Sequence, residues 1–74
     1  MDDFYFVYDY NKKKMTASRL YRRINSEFER YYTESQSWKP APEQACIYIG
    51  EEVFYDEITE EQALKIIANN ALLL

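Results

Sequence analysis

The chain must fold without an internal disulfide or a Cys/His zinc site to stabilise it. Its 74 residues include one cysteine, Cys46, and no histidine. A lone cysteine cannot form an internal disulfide, and a Cys/His zinc site is excluded by the lack of histidine. A chain of this length normally gains only about 3–5 kcal/mol of net stability from its core. We therefore expect one small domain over residues 1–74 that is stabilised by packing.

Aromatic side chains are the obvious source of that packing. The sequence contains eight Tyr, four Phe and one Trp, but only one Gly and two Pro. Each aromatic ring buries a large area, which suits a short chain. The scarcity of Gly and Pro is not typical of a disordered or low-complexity sequence.

The sequence also bears on the compartment. No stretch approaches the roughly 20 apolar residues of a membrane span, and the acidic start at Asp2-Asp3 is not typical of a signal peptide. Cysteines usually stay unpaired in proteins of reducing compartments, which fits a single cysteine. We expect a cytoplasmic protein with no membrane partner.

The first strand is predicted over residues 3–10, where aromatic and β-branched residues follow one another. Neighbouring side chains of a strand point to opposite faces. One face would carry Phe4, Phe6 and Tyr8, and the other Tyr5 and Val7.

The next segment predicts an amphipathic helix over about residues 17–34. Thr16 is a good N-cap residue, and apolar residues recur at helical spacing over an arc of roughly 120°. These residues are Ala17, Leu20, Tyr21, Ile24, Phe28, Tyr31 and Tyr32.

A loop and a β-hairpin are predicted next. Residues 33–44 contain Ser and Pro and predict a long loop, in which Trp38 would either plug the core or anchor a partner. Residues 45–49 and 52–56 predict a β-hairpin, with Gly50-Glu51 as its two-residue turn.

The last element is a second helix over about residues 60–70. Thr59 and Gln62 have the spacing of a capping box. Its buried side is predicted to carry Ala63, Leu64, Ile67 and Ala71. The apolar end, Ala71–Leu74, has no assigned role: it could extend the helix, form a short strand or contact another chain.

These elements predict an α+β fold of the order β-α-β-β-α. A right-handed crossover would give a three-stranded sheet in the order 1-3-2, with both helices packed on one face. This arrangement resembles a ferredoxin-like split β-α-β unit that lacks its final strand.

The sequence contains few of the residues and motifs that enzymes use for catalysis. Without histidine, the usual general base and the Ser-His and Cys-His nucleophile pairs are missing. Cys46 is most simply a small buried hydrophobe, and no Gly-rich loop could hold phosphates. The acidic residues between Glu51 and Glu61 are interpreted as a solvated rim rather than a cation site. We expect no enzyme, and no catalytic, cofactor-binding or metal-binding residues.

The predicted first helix has a basic face made of Arg19, Arg22, Arg23 and Arg30. Guanidinium groups recognise carboxylates and phosphates through paired hydrogen bonds. The charge is also uneven, because residues 1–40 sum to +2 and residues 41–74 to −6. This face could be simply solvated, or it could bind an acidic protein, the acidic half of a second copy, or a nucleic acid.

A second predicted surface is the sheet face left open by the two helices, with Tyr5, Tyr48 and Tyr55. Tyrosine is enriched in protein interfaces, and it can also stack on single-stranded bases. Alternatively, these tyrosines are ordinary strand residues.

Taken together, the sequence favours a non-enzymatic protein–protein interaction module, such as a small accessory or inhibitor protein of a bacterium or phage. A nucleic-acid-binding domain is the alternative, and a homodimer formed through the apolar C-terminus is a third hypothesis. The candidate partner-binding residues are Arg19, Arg22, Arg23, Arg30, Tyr5, Tyr48, Tyr55 and Trp38.

Overall fold

The computed structural model describes residues 3–43 and 55–72. Within them lie five strands and one helix, which form a small compact α+β domain. The strands are β1 (Phe4–Tyr8), β2 (Arg19–Ile24), β3 (Glu27–Tyr32), β4 (Ser37–Pro40) and β5 (Asp56–Ile58), and helix α1 spans Glu60–Ala68. All five strands belong to one antiparallel sheet, in the order β4-β3-β2-β1-β5.

The predicted three-stranded sheet with two helices is wrong. The described residues form a five-stranded antiparallel sheet with a single helix. The predicted order 1-3-2 fails with it, because β1 and β2 are antiparallel neighbours and need no helical crossover. The resemblance to a ferredoxin-like unit therefore does not hold.

The error lies in residues 17–34, which form a β-hairpin instead of a helix. Its two strands are joined by Asn25 and Ser26, whose φ angles are 53° and 70°. Two successive positive φ angles are typical of a type I′ turn, whose twist matches that of the flanking strands. Leu20 and Tyr21 are both buried, but on opposite faces of the sheet. Burial on both faces produced the helix-like spacing of apolar residues.

The predicted loop at residues 33–44 is shorter than expected, because Ser37–Pro40 forms the edge strand β4. Trp38 lies opposite Tyr31 in this pairing. The predicted hairpin falls mostly on residues 44–54, outside the described residues, and Asp56 belongs to β5.

The prediction of the C-terminal helix is confirmed. Thr59 and Gln62 form the capping box, in which the Gln62 backbone N–H donates to Thr59 Oγ1 at 3.1 Å and the Thr59 backbone N–H donates to Gln62 Oε1 at 2.9 Å. Asn70 ends the helix with a φ of 51°, and the Ala71 N–H donates to the Ile66 carbonyl at 3.0 Å. This pattern is a Schellman motif, with asparagine at the left-handed position.

The buried side of α1 differs from the prediction by part of a turn. Ala63 and Ile66 are fully buried, whereas Leu64 is 57% exposed. Ala71 is also buried, and Leu72 packs on the core and forms a parallel bridge with Ala17. At least this part of the apolar C-terminus is therefore used within the chain.

The sheet has an apolar cluster on each face. The cluster beneath α1 consists of Val7, Ala17, Leu20, Tyr31, Ile58, Ala63, Ile66 and Ala71. The cluster on the opposite face consists of Phe6, Tyr8, Tyr21, Phe28 and Ala41. The alternation predicted for the first strand is confirmed, since Val7 belongs to one cluster and Phe6 to the other.

Candidate functional site

Three cationic side chains cross the sheet on the face opposite α1. Arg19 lies on β2, Arg30 on β3 and Lys39 on β4. The strand register places them on one face, because Arg30 pairs with Tyr21 on one side and with Lys39 on the other. We call these three cations, with the rings of Tyr8, Tyr21 and Tyr32, the cationic row.

Each cation stands over a tyrosine ring. The guanidinium carbon of Arg19 is 4.3 Å from the centroid of Tyr8, and its Nη1 donates to the Tyr21 hydroxyl at 3.3 Å. Such contacts are attractive, because the ring face is electronegative. They also restrict the long arginine side chain to one direction across the sheet.

The same arrangement continues towards the edge strand. The Arg30 guanidinium carbon is 5.0 Å from the centroid of Tyr32, and Lys39 Nζ is 5.4 Å from the same ring. Arg30 is also 5.8 Å from Tyr21. Cations and rings thus alternate from β1 to β4.

The three cations carry charge that no described carboxylate neutralises. Within residues 3–43 and 55–72 the ion pairs are Arg22 with Glu29, at 2.7 Å, and Lys65 with Glu61, at 3.9 Å. Neither pair involves the cationic row. The row therefore presents local positive charge, although the whole chain has a net charge of −4.

Two of the three rings of the row are largely covered. Tyr8 is 4% exposed and Tyr21 is 3% exposed. Arg19 and Arg30 are half-buried, and Lys39 is exposed. A ligand approaching this face would therefore meet guanidinium and ammonium groups and the half-buried Tyr32 ring, but not the faces of Tyr8 and Tyr21.

The four arginines predicted to share a helix face are divided between the two faces of the sheet. Arg19 and Arg30 belong to the cationic row, and Arg23 lies on the same face but is buried. Arg22 lies on the other face, where its Nε donates to Glu29 and its guanidinium carbon is 4.2 Å from the Trp38 ring. Only two of the four arginines therefore contribute to the row.

Trp38 packs against the cluster beneath α1, as the core-plug alternative predicts. Its ring centroid is 5.3 Å from Tyr31 and 6.1 Å from Tyr5. The Tyr5 hydroxyl donates to Glu60 at 3.1 Å. Partial burial raises the pKa of Tyr5, as does the adjacent Glu60 carboxylate, while Arg22 acts in the opposite direction.

Two tyrosines that were predicted to share a sheet face, Tyr5 and Tyr55, lie on opposite faces. Tyr5 lies on the α1 side of the sheet, whereas Tyr55 packs on the opposite side against Phe6, with ring centroids 5.4 Å apart. Tyr48 lies outside the described residues. The sequence interpretation also missed Lys39, since it assigned that residue to a loop.

Metal sites and membrane-spanning helices are both absent from residues 3–43 and 55–72. No group of three or more Cys, Asp or Glu side chains converges there as a metal site would require. In residues 3–43 and 55–72 there is also no helix with the length and apolar character needed to cross a membrane.

Comparisons with protein-family models, with curated proteins and with solved structures gave no significant match. Function is therefore inferred from the geometry of the surface alone.

Proposed function

We propose that the chain is a protein-interaction module that binds an acidic segment of a partner protein on the cationic row and does not act by catalysis. The observation that carries this proposal is the set of three cations on neighbouring strands without carboxylate partners among the described residues. Such a surface attracts carboxylates, and arginine can bind them through two parallel hydrogen bonds.

The tyrosine contacts support a binding role for these cations. A free arginine or lysine side chain loses considerable rotamer entropy when it is fixed by a ligand. Arg19 and Arg30 are already restrained over rings, at 4.3 Å and 5.0 Å. Part of the ordering cost is therefore met before binding, which favours affinity.

Single-stranded nucleic acid is the alternative partner, because cations alternate with aromatic rings on the sheet. Proteins that bind single strands stack bases on open ring faces. Tyr8 and Tyr21 are almost fully buried, so their faces are closed to a base. The third ring, Tyr32, is half-buried and already has Arg30 at 5.0 Å and Lys39 at 5.4 Å from its centroid. The net charge of −4 also disfavours a long polyanion. These two observations favour an acidic protein.

The test compares two triple variants that change the net charge equally. The row variant is Arg19→Glu, Arg30→Glu and Lys39→Glu. The control variant is Lys12→Glu, Lys13→Glu and Lys14→Glu, in an exposed turn before β2. Binding of a fluorescent Glu-rich peptide and of oligothymidine is measured by anisotropy at low and high salt.

We expect the row variant to lose the peptide and the control variant to retain it, with affinity falling as salt screens the charges. Equal losses in the two variants would contradict the proposal, and tighter binding of oligothymidine than of peptide would support the nucleic-acid alternative. Since replacing both arginines could disturb the fold, Lys39→Glu alone is a second variant. Its exposed position predicts a roughly fivefold loss of affinity with an unchanged fold.

A further inference from the structure

Strand β4 forms one edge of the sheet. Within residues 3–43 and 55–72 it pairs only with β3. Lys39 and Pro40 are both exposed, so this edge is open to solvent at two of its four residues. Because Lys39 also belongs to the cationic row, the row extends to the open edge of the sheet.

The strand register shows which backbone groups of β4 point away from the sheet. The Ala41 N–H donates to the Phe28 carbonyl at 2.8 Å, so the backbone of Ala41 faces β3. Backbone groups of successive residues in an antiparallel strand face alternate sides, so those of Trp38 and Pro40 face outwards. The outward groups are the N–H and carbonyl of Trp38 and the carbonyl of Pro40, because proline has no N–H.

We propose that the acidic segment of the partner binds as an added antiparallel strand beside β4. This inference rests on the proposed function and specifies how the partner is held. Extended peptides bind at open sheet edges in several protein families, through main-chain hydrogen bonds. Here the outward groups of Trp38 and Pro40 supply one donor and two acceptors, so the partner strand can form three such bonds.

The same register places a carboxylate of the partner beside the cationic row. The partner residue opposite Lys39 is in a non-hydrogen-bonded pair, because the backbone of Lys39 faces β3. In such pairs the Cα atoms are only about 4.5 Å apart and the side chains are close, and opposite charges across two strands attract. An acidic residue at this position lies on the face that carries Lys39 and Arg30. Side chains alternate between faces, so the preferred segment has acidic residues at every second position.

Pro40 limits pairing between two copies of the chain at this edge. Each copy has one outward donor within β4, the Trp38 N–H, so two copies can share at most two hydrogen bonds. Proline and lysine on an edge strand protect a sheet against pairing of this kind. A partner strand supplies its own donors and also uses the Pro40 carbonyl. The edge therefore favours an acidic partner segment over a second copy.

The first experiment uses the wild-type protein and a fluorescent peptide of alternating Glu and Thr. In the proposed register, the Thr N–H groups face β4 and the Glu N–H groups face away. N-methylation of the Thr residues should weaken binding about tenfold, because the donors to the two outward carbonyls are lost. N-methylation of the same number of Glu residues is the matched control and should leave the affinity nearly unchanged.

Equal losses in the two methylated peptides, or a loss confined to the Glu series, would overturn the added strand. The proposed function would still stand in that case, because the unmodified peptide binds the row. If the wild-type protein bound no Glu-rich peptide, the proposed function would fail and the inference with it.

The second experiment compares Pro40→Val with Pro42→Val. Both prolines are exposed, but only Pro40 lies in β4. Valine at position 40 adds an outward N–H, so this variant should self-associate as its concentration rises, as measured by static light scattering. Pro42→Val should keep the wild-type mass. Equal masses for the two variants, each with the circular dichroism spectrum of the wild type, would contradict the outward orientation of the Pro40 backbone.

Discussion

The position of the buried side of α1 can be tested with one pair of substitutions, Ile66→Ala and Leu64→Ala. Both remove a similar volume of aliphatic side chain from the same helix. Ile66 is 0% exposed and belongs to the cluster beneath the helix, whereas Leu64 is 57% exposed. The sequence interpretation placed Leu64 on the buried side, so the pair distinguishes that interpretation from the observed packing.

The expected magnitudes differ strongly. Truncating a fully buried Ile to Ala costs about 2–5 kcal/mol, because transfer free energy is lost and a cavity remains. A domain of this size has only about 3–5 kcal/mol of net stability, so Ile66→Ala should be largely unfolded at room temperature. Leu64→Ala should remain within about 0.5 kcal/mol of the wild type. Alanine is a good helix former, so helix propensity cannot account for a loss in either variant.

The assay is urea unfolding followed by far-ultraviolet circular dichroism, with the free energy of unfolding extrapolated to zero urea. We expect a wild-type-like transition for Leu64→Ala and little or no folded baseline for Ile66→Ala. Comparable losses in the two variants, or a larger loss in Leu64→Ala, would refute the packing described for α1.

Two further predictions concern the hairpin turn and the partly buried phenol of Tyr5. Ser26→Gly should raise the free energy of unfolding by about 0.5–1 kcal/mol, because glycine adopts a φ of 70° without a Cβ clash. The control is Ser35→Gly, at a position where φ is not positive, and it should give no gain in the same urea assay. The raised pKa of Tyr5 means that the folded chain holds this proton above the ordinary value of 10.0, so stability should fall as the pH rises past 10.0. Tyr5→Phe should make that fall shallower in alkaline unfolding curves, and an unchanged slope would contradict the role of burial and Glu60.

The elements that the sequence predicted correctly are those with strong local signals. The first strand is confirmed because its side chains alternate between two buried faces. The C-terminal helix is confirmed because Thr59 and Gln62 form the capping box that their spacing predicted. In both segments, the signal lies within a few residues and does not depend on the partner strand.

The central hairpin could not be predicted in the same way. A strand with one solvated face alternates between apolar and polar residues, but β2 has Leu20 and Tyr21 buried on opposite faces. The turn also lacks the glycine that usually marks a two-residue hairpin loop, since Asn25-Ser26 takes its place. Without those two signals, the helical spacing was the stronger pattern.

The candidate surface was partly predictable. The sequence indicated that arginines between positions 19 and 30 form a basic surface, and Arg19 and Arg30 do share one face. Which arginines share a face depends on whether the segment is a helix or a hairpin. Lys39 joins them only through the pairing of β3 with β4. That pairing is a tertiary property, so no local pattern could reveal it.

The order of strands in the sheet bears on how the chain assembles. The pairing of β1 with β2 begins between Tyr8 and Arg19, a separation of 11 residues, whereas that of β1 with β5 begins between Val7 and Asp56, a separation of 49 residues. Closing the longer loop costs about 1.3 kcal/mol more in chain entropy. We therefore expect strands β1 to β4 to form early as a local meander, and β5 and α1 to join it later. Native-state hydrogen exchange would then find the C-terminal unit opening at lower free energy than the meander.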